Sequence, residues 1–186
     1  MRILSKVAGL VAVSILALDV AALSITPSSS SLLTSGNQTG VPQILAQIAS
    51  EGYVLGDSNY KKDYDDGKES GDFKNYYSTT FTPDLVSGES GDASGGSIVW
   101  DGPSYISGAE YLLVKDGNSK PAWYLFDIGG WDGKETIELS NFWPGKGAIS
   151  HVAIFGGGGT SVPDGGTTAV LLGLGVLGLA SLRRKS

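Results

Sequence analysis

The residues able to do chemistry are few and scattered. Nucleophilic hydrolysis needs a base within reach of a hydroxyl, most often a histidine. The chain has one histidine, His151, directly after Ser150 in ISHVAIF. Adjacent side chains of a strand point to opposite faces, so Ser150 is not placed to be activated by its neighbour. No Gly-x-Ser-x-Gly elbow is present, because GESGD puts Asp92 where the second glycine belongs. A hydrogen-bonded, structural His151 is the expectation. Paired carboxylates can hydrolyse glycosides, but here most acidic residues stand in Gly/Ser-rich loops, where solvation explains them. Phosphate-loop and zinc spacings are absent. The expectation is a protein that is not an enzyme.

Two non-catalytic chemistries have candidates. DSNYKKDYDDGKESGD gathers Asp63, Asp65, Asp66, Glu69 and Asp72, flexible oxygen ligands of the kind Ca²⁺ takes. The EF-hand order fails, since Gly67 stands fifth from Asp63 rather than sixth, and Lys61, Lys62 and Lys68 dilute the field. A solvated acidic loop is the plainer reading, with Ca²⁺ as the alternative and no other cofactor implied. Tyr105, Trp131 and Trp143 could present flat faces to a sugar. For the two tryptophans, which stand beside Gly and Pro, capping the edge of a core is the preferred reading.

Composition narrows the partners. Cysteine is absent, so a packed core or bound ions must hold the fold. The formal charge is −6, but residues 23–163 alone hold 8 basic and 17 acidic residues. Such a surface repels nucleic acid and anionic lipid.

The elements that must position these residues are short. Residues 23–40, rich in Ser, Thr and Gly, read as a flexible linker. Residues 41–50 read as one helix, with Pro42 near its start and Ile44, Leu45 and Ile48 on one face. Beyond it, apolar runs predict strands at 73–81, 97–100, 109–115, 122–128, 136–139 and 149–155, with a weaker one at 53–55. Asp-Gly pairs beginning at Asp66, Asp101, Asp116 and Asp132 supply turns. Short strands and frequent turns predict a mostly β fold. Residues 41–160 would form a single antiparallel, β-sandwich-like extracellular domain.

The ends read as addresses. Arg2 and Lys6, the apolar run 7–18 and Val20-Ala21-Ala22 predict a secretory signal peptide over residues 1–22, a helix in transit, cut after Ala22 or Ser24. At the other end Val162, Pro163, Asp164, Gly165 and Gly166 precede an apolar span over 165–182 and the basic tail Arg183, Arg184 and Lys185. Eighteen residues sit at the threshold for crossing a bilayer, and the basic residues should stay cytoplasmic. Gly173, Gly175 and Gly178 are tolerated in a transmembrane helix better than in a helix in water.

The order of motif, helix and basic residues over 161–186 resembles the PEP-CTERM class of sorting signals, in its Val-Pro-Asp-type variant. YLLVKDG, PAWYLFDI, Trp-Asp-Gly at 131–133, TIEL and FWPGKGAISHVAIFG, all within residues 111–156, look like the ectodomain common in such proteins. The resemblance implies export through the Sec translocon, with signal peptidase acting first, and a transient inner-membrane anchor. An exosortase then recognises the signal. The implied destination is the cell surface or exopolysaccharide matrix of a Gram-negative bacterium, and no catalytic residues are implied. The leading expectation is a surface-sorted structural or interaction protein. A carbohydrate-binding module using Tyr105, Trp131 and Trp143 is the alternative, and a secreted hydrolase ranks third.

Overall fold

The computed structural model describes residues 22–83, 92–116, 119–144, 147–156 and 158–161. In chain order these form β1 (Leu23–Ile25), β2 (Leu32–Gly36), α1 (Val41–Ser50), β3 (Ser58–Asp63), β4 (Glu69–Ser70) and β5 (Tyr77–Pro83). Then follow β6 (Ala93–Trp100), β7 (Ser104–Ser107), β8 (Tyr111–Asp116), β9 (Trp123–Asp127), β10 (Ile137–Leu139), β11 (Ile149–Phe155) and β12 (Gly158–Ser161). The fold is mostly β, with two antiparallel-rich sheets and one helix. A four-stranded sheet runs β1-β10-β6-β5, a six-stranded sheet β2-β9-β8-β11-β3-β4, and β12 pairs with β7. The sole parallel pairing among the described strands is β1 with β10.

Burial follows from the sequence pattern. In β8, Leu112 and Val114 face a core shared by the two sheets, while Leu113 faces the opposite side. That shared core takes Ile25, Ile98 and Ile137 from the first sheet and Leu112, Phe126 and Val152 from the second. On the outer face of the six-stranded sheet, Ile44 and Ile48 of α1 pack with Trp123, Leu125 and Ala153. Strands covered on both faces carry continuous apolar runs, hence YLLV and WYLF. In α1, Ile44 and Ile48, four apart, share a face, and Pro42 occupies the first turn, where its missing N–H costs nothing. Gly67, Gly102 and Gly133 of three Asp-Gly pairs adopt φ of +63°, +68° and +82°.

Several expectations are corrected. Residues 23–40 are no linker throughout: Leu23 pairs with Ile137, and β2 pairs with β9 from Leu32 to Gly36. Residues 53–55 form no strand; the strand starts at Ser58, and residues 73–76 are a turn leading into β5. Beyond the last predicted strand, at 149–155, Gly158 and Gly159 belong to a further strand, β12, opposite Ser107 and Ile106. Among the described residues no helix is long and apolar enough to cross a membrane. The predicted signal peptide (apart from its last residue, Ala22), the sorting motif, the span 165–182 and the basic tail lie outside the described residues.

Candidate functional site

Three segments distant in sequence converge on a groove of about 550 Å³. Pro27 comes from the β1–β2 connection, Ser119 and Lys120 from the β8–β9 connection, and Tyr124 from β9. Asn141, Trp143 and Pro144 come from the β10–β11 connection. Strand alternation puts Tyr124 on the same face as Phe126, opposite Trp123 and Leu125. Tyr124 therefore ends an aromatic row: it lies 5.2 Å from Trp143 and 5.7 Å from Phe142, centroid to centroid. Phe142 is fully buried and Trp143 6 % exposed, whereas Tyr124 is half-buried. Burial pushes the Tyr124 phenol pKa up.

The backbone of the β10–β11 connection is unusual at this wall. Asn141 has φ 60° and Trp143 φ 44°, the two non-glycine residues with positive φ among the described residues. Asparagine tolerates that region; a bulky residue there is an outlier. The Trp143 indole N–H donates to the Pro121 carbonyl at 2.6 Å, which fixes the ring. Below, the two carboxylate oxygens of Asp116 accept from the backbone N–H groups of Ser119 and Ala148, tying the β8–β9 connection to the start of β11.

A second polar group crosses three adjacent strands. Asp63 of β3 and Lys115 of β8 stand opposite His151 of β11. His151 is 8 % exposed, with Nδ1 3.7 Å from an Asp63 oxygen that Lys61 holds at 2.8 Å. Burial, and then Lys61 and Lys115, push the His151 pKa down to about 4, and this outweighs the pull of Asp63. His151 is therefore neutral at pH 7. Lys115 is also buried; its ammonium donates to the Asp116 carbonyl at 2.9 Å, and burial lowers its pKa. A register shift between Ile149 and His151 makes Ser150 irregular, and its hydroxyl donates to the Lys115 carbonyl at 3.0 Å. His151 thus accepts no proton from Ser150 in this geometry. Beside it a smaller cleft of about 220 Å³ opens between α1 and the sheet, floored by Ile44, Leu113 and Phe155.

Of the acidic candidates, Asp63, Asp65 and Asp66 line one open hollow of about 360 Å³ together with Lys68 and His151. Asp63 pairs with Lys61, Glu69 pairs with Lys62 at 3.0 Å, and Asp66 accepts from the Lys68 backbone N–H. Among the described residues no three His, Asp or Glu side chains form a group that could hold a metal. The tryptophans weighed as sugar platforms are interior. Trp131 is 4 % exposed, its N–H on the Glu135 carbonyl and its ring 5.9 Å from Tyr77. Trp143 sits in the groove wall but keeps its faces packed. Tyr105 is half-buried, edge-on to Trp100, with the Lys134 ammonium 4.3 Å from its ring centre. The sequence does not point to Pro27, Lys120, Tyr124 and Asn141 as one site: a groove assembled from three connections and a strand leaves no local signature.

Comparison with known proteins touches the end of the chain. No curated protein and no solved structure matches it. One family model, described as the VPDSG-CTERM motif, matches residues 161–186. Gly165 stands where that motif's name has Ser, and Val162, Pro163, Asp164 and Gly166 agree with it. Residues 161–186 thus carry a VPDSG-CTERM motif, a variant of the PEP-CTERM-like sorting signals read by exosortases.

Proposed function

We propose that this chain is an exported protein processed by an exosortase at its C-terminal signal. Its single sandwich-like domain then acts without catalysis, as a structural or interaction module of the cell surface or the exopolysaccharide matrix. The observation that carries the reading is the VPDSG-CTERM match over residues 161–186. The basic n-region with its apolar run at the other end agrees with Sec-dependent export, and the span 165–182 with a transient inner-membrane stop. The orientation of Ser150 toward Lys115 and the neutral, enclosed His151 favour an interaction role over hydrolysis.

The test is the mass and location of the protein recovered from its native cell. Replacing Pro163 and Asp164 with Ala is expected to leave uncleaved protein in the inner membrane, while the unaltered chain loses mass and leaves it. Equal mass and release for both would overturn exosortase processing. Turnover of polysaccharides or esters by the unaltered protein, abolished by His151→Gln, would overturn the non-catalytic assignment.

A further inference from the structure

We propose that the groove formed by Pro27, Lys120, Tyr124, Asn141, Trp143 and Pro144 binds a saccharide that carries a carboxylate. Pro27, Pro144 and the half-buried Tyr124 ring, backed by the packed Trp143, give walls against which the C–H face of a sugar ring packs. Besides Ser119, which is tied to Asp116, three polar side chains stand among them. The Lys120 ammonium, the Asn141 amide and the Tyr124 hydroxyl make no hydrogen bond or ion pair among the described residues. Amide, phenol and ammonium together offer the mixed donors and acceptors that a ring bearing hydroxyls and one acid group needs.

Charge selects the acidic sugar. Residues 23–163 hold 17 acidic and 8 basic residues, yet among the described residues lining this groove the one that is charged is Lys120. Exposed acidic residues beyond about 8 Å are largely screened at physiological salt, so they repel a sparsely charged saccharide weakly. A carboxylate seated beside Lys120 meets its counter-charge at contact distance. The backbone adds a second, independent observation. Asn141 and Trp143 both line the groove and both hold positive φ. Unfavourable backbone of this kind gathers at ligand clamps and is held there by surrounding contacts. Here the Trp143–Pro121 hydrogen bond supplies that restraint.

The proposal deepens the reading of the chain as an exported interaction protein and names its partner. Binding in vitro does not depend on exosortase cleavage, so the failure of either claim is seen separately. The exported protein would be applied to matched oligosaccharides, neutral β-1,4-glucan hexamers and the same backbone oxidised to uronates. The uronate hexamer is expected to be retained about tenfold better than the neutral one. Lys120→Gln should abolish that preference. Asn141→Gly keeps the positive φ without strain and removes only the amide, so it should weaken retention about tenfold at unchanged Tm. No retention of either hexamer, preference for the neutral one, or equal retention by both variants and the parent chain would each overturn the proposal.

Discussion

At the scale of single residues, the fold spends its few buried ionisable groups on structure, and one of them reports on pH. His151 is the chain's only histidine and is enclosed by Lys61 and Asp63 of β3 and Lys115 of β8. Its folded pKa of about 4 lies below the ordinary value of 6.5. The unfolded chain therefore binds the extra proton first as pH falls. The stability held by neutral His151 is complete above about pH 6.5 and declines as pH drops toward 4, a loss of about 2 kcal/mol at pH 5. Carboxylates contribute over part of this range, so the comparison is with His151→Gln. The Tm difference between pH 7.5 and pH 5 should be larger in the parent chain, and equal differences would sink the assignment. Tyr77 is a second sensitive residue. Its hydroxyl donates to the Gly133 carbonyl at 2.6 Å and accepts from the Ile106 N–H at 2.8 Å. Tyr77→Phe strands both buried partners and should cost about 1–3 kcal/mol in urea unfolding. Neither role of Tyr77 was legible in the sequence, because 29 and 56 residues separate it from its partners. The interior position of Trp131 and Trp143 was legible, since large rings beside Gly and Pro usually cap a core.

At the scale of elements, legibility tracks hydrophobic content. The predicted strands at 109–115, 122–128, 136–139 and 149–155 coincide within a residue or two with β8, β9, β10 and β11, and the helix at 41–50 with α1. All of these bury apolar side chains in a local pattern. The strands without a predicted counterpart, β1, β2, β3, β4, β7 and β12, are short, or polar, or rich in glycine. Their partners choose them: Lys61 and Lys62 sit in β3 because β11 offers an edge and because Asp63 and Glu69 accept their ammonium groups. Tertiary pairing overrides a weak local preference here. The N-terminal strands give the sharpest consequence. Ile25 is 1 % exposed in the shared core, a burial alone worth about 1.5–3 kcal/mol, and β2 covers the edge of β9. A chain lacking residues 23–40 should lose its cooperative transition or unfold about 10 °C or more lower. Calorimetry showing an unchanged Tm would mean that these residues are a linker after all.

At the scale of the whole molecule, the sorting signal and the folded part meet with almost no spacer. The final pairing of β12 is Ser161 with Ser104, and Val162, the first residue of the Val-Pro-Asp sequence, follows at once. Among the described strands β12 is the sole partner of β7, whose Ile106 is fully buried and gives its N–H to Tyr77. The end of the fold is therefore held from both sides: β7 reaches into the core through Ile106 and outward to β12. Chains stopped at successive points should separate the address from the architecture. A stop after Ser161 removes the motif, the apolar span and the basic tail but leaves every pairing of the described strands intact. Its Tm should match that of the protein recovered after processing to within about 2 °C, since both keep every pairing of the described strands. A stop after Phe155 also takes β12 away and leaves the edge of β7 unpaired. At about 1 kcal/mol net for each backbone hydrogen bond lost, Tm should fall by several degrees. Equal unfolding of the two truncated chains would show that β12 adds nothing, and that the folded part ends at β11 with a true spacer before the signal.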